Sequence, residues 1–564
     1  MICKATLNSS PFRYASKWWK ARFALSAYCL LVALPGGLSA EVEDDEKVWT
    51  TRSEVACGRP VPARIEDQGQ QFTDVTAELG IDYSHGCGEI ARGKKEDRQI
   101  MAGGVAVGDY DRDGWPDLYF SGGSGGQGAL YRNQKGEHFE ERTVQAGVAL
   151  PGVEAAGAVF ADYDGDGWLD LLVTGVNESP SSLLRNMGNG HFKDVTAESG
   201  LASLKHSFSA SFADYDRDGD LDLYVAHWAP PQNSAQLWRN NGDKTFSDIT
   251  QQAGLSDNGM NDFAANFADI DNDGWLDLLI AADFDTSQIY RNNQKGGFEE
   301  ITTDDITDEN GMGTAVGDYD NDGDLDWFVS SIDSGGISGN RLYQNRGDGT
   351  FADVTEKTAV RYGGWAWGSC FADFNQDGYL DIFQVNGYGR PALNYQGESN
   401  LQTSVLFMSR GEGWFRGISF VEQAALLGVD DQAHGRGVSC MDYDRDGDLD
   451  IIVANNNQPP TIYRNNGVEG MNFLNIRLKG RYANSQAVGA RIIVKADGKQ
   501  QMRELRIGSN YLSQDLVEAH FGLNDAKIVD ELHIVWPSQQ STTLYDVQVN
   551  QFLQLEQATL HADK

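Results

Sequence analysis

The chain has 564 residues, with 83 Asp and Glu against 45 Lys and Arg, for a formal charge of -38. So negative a surface repels phosphate, and no basic run offsets it, which excludes the nucleic-acid binders. A hydrophobic share of 40%, with 64 glycines and 13 prolines, fits a folded, turn-rich protein and excludes a disordered acidic tail.

The first 40 residues carry no acid but five bases, Lys4, Arg13, Lys17, Lys20 and Arg22, followed by FALSAYCLLVAL and the small-residue end GGLSA. The pattern predicts a secretory leader over 1–40, cut near Ala40. An apolar run this short falls below the roughly 20 residues that span a bilayer, so the mature chain is expected secreted or periplasmic, with no transmembrane span. In that oxidising setting Cys57 and Cys87 are expected to pair. Cys370 and Cys440, at nearly matching places in two repeats, admit two readings: a bridge across neighbouring strands, or two small buried thiols.

After an extension over 41–71 the chain repeats itself. A string of the form D-aromatic-D-x-D-G-x-x-D followed by an apolar run, with Ile270 for the aromatic in the fourth copy and Asn375 for the second Asp in the sixth, starts at Asp109, Asp162, Asp214, Asp269, Asp318, Asp373 and Asp442, at intervals of 49 to 69 residues. Between copies recur LYRN-like pieces, at Leu130, Leu183, Leu237, Ile289, Leu342, Leu406 and Ile462, and an FxDVT-like strand. Four short strands per unit, here A to D from inside out, predict an all-β, seven-bladed propeller over 72–470. The last copy lacks a strand D, while FTDVT at Phe72–Thr76 stands unattached before the first, so the N-terminus is expected to complete blade seven and leave no free edge. Small residues five before each string, Gly104, Gly157, Ser209, Ala264, Gly313, Gly368 and Gly437, suit a crowded axis.

Carboxylates at positions 1, 3, 5 and 9, with Gly at 6 for a sharp turn, are hard oxygen donors of the kind that bind Ca2+. The expected ligands are Asp109, Asp111, Asp113 and Asp117; Asp162, Asp164, Asp166 and Asp170; Asp214, Asp216, Asp218 and Asp222; Asp269, Asp271, Asp273 and Asp277; Asp318, Asp320, Asp322 and Asp326; Asp373, Asn375, Asp377 and Asp381; and Asp442, Asp444, Asp446 and Asp450. Up to seven structural calcium ions are expected on one face, with loop six weakest because Asn375 brings one charge fewer. Strand follows position 9 directly, unlike the helix that follows an EF-hand loop.

These units resemble the FG-GAP or VCBS repeats of integrin-type propellers. The segment from Asn472 to Gln557, with NFLNIRLKG, AVGARIIVKADGK, IGSNYLSQD and HFGLNDAKIVDELHIVWPS, resembles the ASPIC/UnbV domain. The two together are the arrangement of the cartilage acidic protein family, which includes secreted bacterial members. The resemblance implies calcium binding and an extracytoplasmic setting. Residues 471–564 read as a small β-sandwich-like domain. WPSQ at Trp536–Gln539 departs from the usual WPSG, which puts a tight turn there in doubt.

With calcium on one face, a ligand is expected on the other, where strands A begin. Eight residues before each string stand Met101, Glu154, His206, Asn261, Asn310, Trp365 and His434, with Trp367 and Arg436 two further on. His206, Asn261, Trp365, Trp367, His434 and Arg436 form the candidate ligand set, suited to an extracellular protein or a glycan; the plainer reading is that they cap strand ends. His227 and Trp228, and Tyr388, Arg390 and Tyr395 in a long connection, belong to the same face. Two function classes follow. One is a recognition or adhesion module. The other is a carbohydrate lyase or hydrolase using His206, His434 or Glu154 as acid or base.

Overall fold

The computed structural model describes residues 71–86, 97–123, 126–228, 236–255, 261–333, 339–387, 402–411, 417–481, 483–508 and 510–558. The expected leader, the Cys57–Cys87 pair, and Tyr388, Arg390 and Tyr395 lie outside them.

Seven four-stranded antiparallel sheets form the repeat region, each made of consecutive strands except the last. Blade two is representative. Its inner strand Ala155–Ala161 is buried throughout, which its small and apolar residues AAGAVFA allow, whereas its outermost strand Phe192–Asp194 buries only Phe192. Neighbouring inner strands contact one another from blade one to blade seven, and the inner strand of blade seven, Gly435–Met441, meets that of blade one, Val105–Gly108. The ring is therefore a closed propeller.

Closure happens as the unattached FTDVT predicts. Phe72, Thr73 and Asp74 pair antiparallel with Asn465, Arg464 and Tyr463, making the N-terminal strand the fourth of blade seven. Phe72 is 1% exposed and meets Phe374 of blade six edge-on, with ring centroids 5.5 Å apart. Cys370 and Cys440 are disulfide-bonded, with Cα atoms 6.5 Å apart, which resolves the open choice and staples the inner strands of blades six and seven.

The C-terminal domain consists of two sheets. Phe473–Lys479 lies between Ala519–Gly522, antiparallel, and Gln551–Glu556, parallel; the second sheet runs in the order Lys499–Glu504, Arg491–Ala496, Ile528–Val535, Ser541–Gln548. The WPSQ turn forms: Gln539 adopts φ +64°, its N–H donates to the Trp536 carbonyl at 2.7 Å, and the Trp536 N–H donates to the Gln540 carbonyl at 2.8 Å. One hydrophobic cluster runs without a break from blades two to four into this domain, joining Phe212 and Leu276 to Ile476, Phe521 and Trp536.

The domain sits on the Asp-loop face and sends IGSNYLSQD down the axis of the ring. Leu512 N–H donates to Ser209 Oγ at 2.9 Å, its carbonyl accepts from Ala158 N–H at 3.2 Å, and Ser513 Oγ accepts from Val105 N–H at 3.1 Å. The small residues read as fitting a crowded axis are small for this reason. A Cβ on Gly104 or Gly157 would collide with the Leu512 carbonyl, and one on Gly437 with Ser513 Oγ. Tyr511 reaches the far end, where its hydroxyl donates to the Met101 carbonyl at 2.8 Å amid Phe263, Trp367 and Met312.

Candidate metal centres

Every Asp loop shares one backbone turn. The position-6 glycines have φ between +84° and +101°, a left-handed region costly for any residue with a Cβ. Their N–H groups donate to Oδ2 of the position-1 aspartate, at 3.1 Å in loop one (Gly114 to Asp109) and 2.8 Å in loop two (Gly167 to Asp162). Position 4 is also left-handed, from Arg445 at +55° to Gly165 at +68°. Two such residues curl the turn so that its carboxylates converge. In each of loops one to five, oxygens from three of the expected aspartates lie within 4.8 Å of one another, for instance Asp109, Asp111 and Asp117, an arrangement that can hold a metal ion.

Position 9 has a second duty. Asp117 Oδ2 accepts from Tyr110 N–H at 3.0 Å and its Oδ1 from Asn133 N–H at 2.8 Å, tying loop to strand C; Asp170, Asp277, Asp326, Asp381 and Asp450 make the same pair of bonds. Each oxygen keeps a second lone pair for a cation.

The electrostatics favour one. Asp109 Oδ1, Asp162 Oδ1, Asp214 Oδ1 and Asp318 Oδ1 are buried without a hydrogen-bond partner, as are Asp271 Oδ1, Asp320 Oδ1 and Asp444 Oδ1 at position 3. Burial pushes Asp162 up to about 6, and Asp214 and Asp318 up to about 7, with the neighbouring carboxylates adding to the rise. A buried carboxylate oxygen with no partner costs about 1–3 kcal/mol or more, and a divalent cation among several of them relieves both the burial and the repulsion.

Two residues of LYRN carry roles that sequence reasoning missed. The arginine clasps its own blade's loop: Arg132 pairs with Asp111 at 2.5 Å and Asp113 at 2.9 Å, Arg185 with Asp164 at 2.6 Å and Asp166 at 3.2 Å, and Arg291 with Asp271 at 3.0 Å. The asparagine brackets the blades. Asn186 Nδ2 donates to the Tyr110 carbonyl of the preceding blade's loop at 2.9 Å, Asn240 to that of Tyr163 at 2.8 Å, and Asn133 to that of Tyr443 at 2.9 Å. The available signal was the recurrence of Arg-Asn at the end of the third strand in five of seven units.

The opposite face differs from its expectation. Trp367 and Arg436 are buried at 4% and 0% exposure: the Arg436 guanidinium lies 4.3 Å over the Trp367 ring, and Tyr511 packs against that ring as well. The plug has taken the contacts assigned to a ligand, since sequence alone did not reveal that IGSNYLSQD traverses the channel. His206 is buried too, its Nδ1 2.6 Å from Arg98 Nη1. His227 Nδ1 lies 3.1 Å from the His206 carbonyl and its Nε2 3.0 Å from Gln236 Oε1, and burial lowers it to about 4. Asn261, Trp365 and His434 stay partly exposed, as does Glu154, whose carboxylate accepts from Asn177 Nδ2 at 2.7 Å. Burial, then Arg436, lowers His434 to about 4 and keeps it neutral.

A ring of Asp loops on a closed, axially plugged β-propeller defines a repeat protein built around cation-type turns. Family models for the FG-GAP-like repeat match residues 109–173, 162–225, 227–280, 269–329 and 318–383, and that for ASPIC and UnbV matches 480–561. Cartilage acidic protein 1 from Homo sapiens is 24% identical over 341 residues, 55% of this chain and 51% of the relative, and that from Mus musculus is 23% identical over 341 residues, 55% and 52%. The chain thus spans about half the length of the curated relatives it matches. The chain belongs to the cartilage acidic protein family, FG-GAP repeats followed by an ASPIC and UnbV domain. Among solved structures, an Agrocybe aegerita lectin recognising non-reducing terminal N-acetylglucosamine aligns at TM-score 0.39 and 17% identity, covering 74% of this chain and 98% of that one. The BP39L lectin from Burkholderia pseudomallei aligns at 0.44 and 9%, covering 64% and 96%. Superpositions this loose carry no argument about a ligand. Among the described residues no helix is long and apolar enough to cross a membrane.

Proposed function

We propose that the protein is an extracytoplasmic, calcium-held propeller that recognises protein or carbohydrate with the face opposite its Asp loops. The observation that carries the calcium reading is the set of buried, unpartnered carboxylate oxygens at positions 1 and 3, which a hard divalent cation satisfies and a proton satisfies only in part. The Cys370–Cys440 disulfide suits an oxidising compartment, as a secretory leader over 1–40 requires. Recognition falls to the opposite face because the C-terminal domain covers the loop face. Among the described residues Tyr511 fills the end of the channel, which suits a macromolecular or glycan surface better than a small molecule engulfed in the axis. Asn261, Trp365 and His434 line it, and the indole offers a stacking plane for a sugar ring.

The test is a glycan and secreted-protein array probed in calcium and in chelator. Binding is expected in calcium, with Trp365→Ala weakening it at least tenfold at an unchanged melting temperature. Undiminished binding by that variant refutes the assigned face.

A further inference from the structure

Loop six departs from the other six. In each of the others at least one buried carboxylate oxygen has no partner: Asp109 in loop one, Asp162 in two, Asp214 and Asp222 in three, Asp271 in four, Asp318 and Asp320 in five, Asp444 in seven. In loop six every one is used. Asp373 Oδ1 accepts from Asp377 N–H at 3.1 Å and Oδ2 from Gly378 N–H at 2.8 Å; Asp377 Oδ1 accepts from Tyr379 N–H at 2.9 Å. Asp381 is held by Phe374 and Ser409 N–H groups at 3.0 and 2.7 Å. Asn375 turns its amide inward, its Nδ2 donating to Asp377 Oδ2 at 3.1 Å and its Oδ1 accepting from Asp377 N–H at 3.3 Å. A hydrogen-bond donor thus points at the carboxylate that a cation would need.

The surroundings of loop six have changed with it. Its blade carries Met408 and Ser409 where five others have Arg-Asn, so it has neither the arginine clasp nor the asparagine bracket. The C-terminal domain seats directly on the loop. Asn524 N–H donates to the Gln376 carbonyl at 2.8 Å, and a Cβ on Gly522 would collide with Asp373 Oδ2 and the Gln376 backbone. Gln376, at position 4, is 4% exposed and bridges to loop seven, its Nε2 donating to the Gly447 carbonyl at 2.8 Å and to Asp448 Oδ1 at 2.6 Å.

We propose that loop six, Asp373 to Asp381, is a docking socket for the C-terminal domain and takes no cation. Its acids are satisfied by protein donors, and the contacts of Gly522 and Asn524 fix the domain on the ring whether or not the remaining loops are filled. The inference rests on the calcium reading for those remaining loops.

Crystals of the full chain grown in calcium and soaked in terbium, which replaces calcium and scatters anomalously, separate the two claims. Anomalous peaks are expected in the other loops and not between Asp373 and Asp377. A peak there comparable to those of its neighbours overturns the socket and leaves the calcium reading standing, whereas peaks in no loop overturn both. Gly522→Val, which has no room above Asp373 and Gln376, tests the docking half by limited proteolysis. We expect cleavage between the propeller and the C-terminal domain to accelerate at least tenfold, with the terbium luminescence of the other loops unchanged; wild-type protease resistance contradicts the proposal.

Discussion

Tyr511, carried by the C-terminal domain, packs against Trp367 of blade six with ring centroids 5.3 Å apart, at the end of the channel farthest from the domain that supplies it. The contact explains why the two parts of the chain share a core. The ring presents small residues and backbone to its axis, and Asn510 to Gln514 fill the space they leave.

Removing the tip of the plug should be costly. Tyr511 is fully buried and also meets Phe263, with centroids 5.7 Å apart. Truncating a buried aromatic to alanine costs about 3–5 kcal/mol, so Tyr511→Ala is expected to lower the denaturant midpoint by that equivalent. Gly104→Val should do more, because its side chain meets the Leu512 carbonyl and forces the segment out. Loss of a single unfolding transition shared by propeller and C-terminal domain is the expected calorimetric sign.

The blade bracket is testable in isolation. Asn240 Nδ2 donates to the Tyr163 carbonyl at 2.8 Å and to that of Leu221 at 3.2 Å, all buried. Asn240→Ala leaves two carbonyls without those donors and is expected to cost about 1–3 kcal/mol, read as a shift in urea midpoint. No shift would mean that the seam between blades two and three does not depend on the bracket.

Ring closure makes a third expectation. Phe72→Ala removes the residue that anchors the fourth strand of blade seven, so a loss of about 3–5 kcal/mol is expected, together with faster hydrogen exchange at Arg464 and Asn465, which pair with that strand. A variant lacking residues up to Thr76 exposes the edge of Thr461–Asn465 and is expected to associate or aggregate, which light scattering would report.

Without metal, stability should depend on pH in an unusual direction. Burial holds Asp214, Asp269 and Asp318 up at about 7 in the folded chain, against about 4 when unfolded. Between those values the folded state binds more protons than the unfolded, so these groups lower stability as pH rises from about 4 to about 7, and Asp277 and Asp170, held up by burial at about 8 and about 9, extend the fall to about 9. His85, His227, His434 and His520, lowered to about 4 by burial against about 6.5 unfolded, act in the opposite direction, but their contribution to the slope ends near pH 7. In chelator the melting temperature is therefore expected to drop from pH 7 to pH 9. In calcium the drop should disappear, because the ion rather than the proton then balances the carboxylates. A fall of equal size in both buffers would contradict the loop electrostatics.

Much of the fold was legible because repetition amplifies weak signals. One DYDGDGWLD is an acidic turn, but seven in phase define blade number, strand order and even the borrowed strand at Phe72. Local chemistry was legible for the same reason: Gly167 sits where the turn needs φ of +84°. What sequence hid were relations between distant segments. Nothing in IGSNYLSQD says that it threads the ring, so Trp367 and Arg436 read as a binding mouth when they are the seat of Tyr511. Nor does the sequence say which way the Asn375 amide turns, and its Nδ2 donates to Asp377 Oδ2.

The central claim is that calcium in the Asp loops holds the ring. Its most direct test is the thermal melt of the full chain in chelator and in 10 mM calcium. At 100 times its dissociation constant, each ion bound only by the folded state adds about 2.7 kcal/mol, and several sites together predict that calcium raises the melting temperature by roughly 10 °C or more, reversibly on adding back chelator. Superimposable melts in the two buffers would contradict the account.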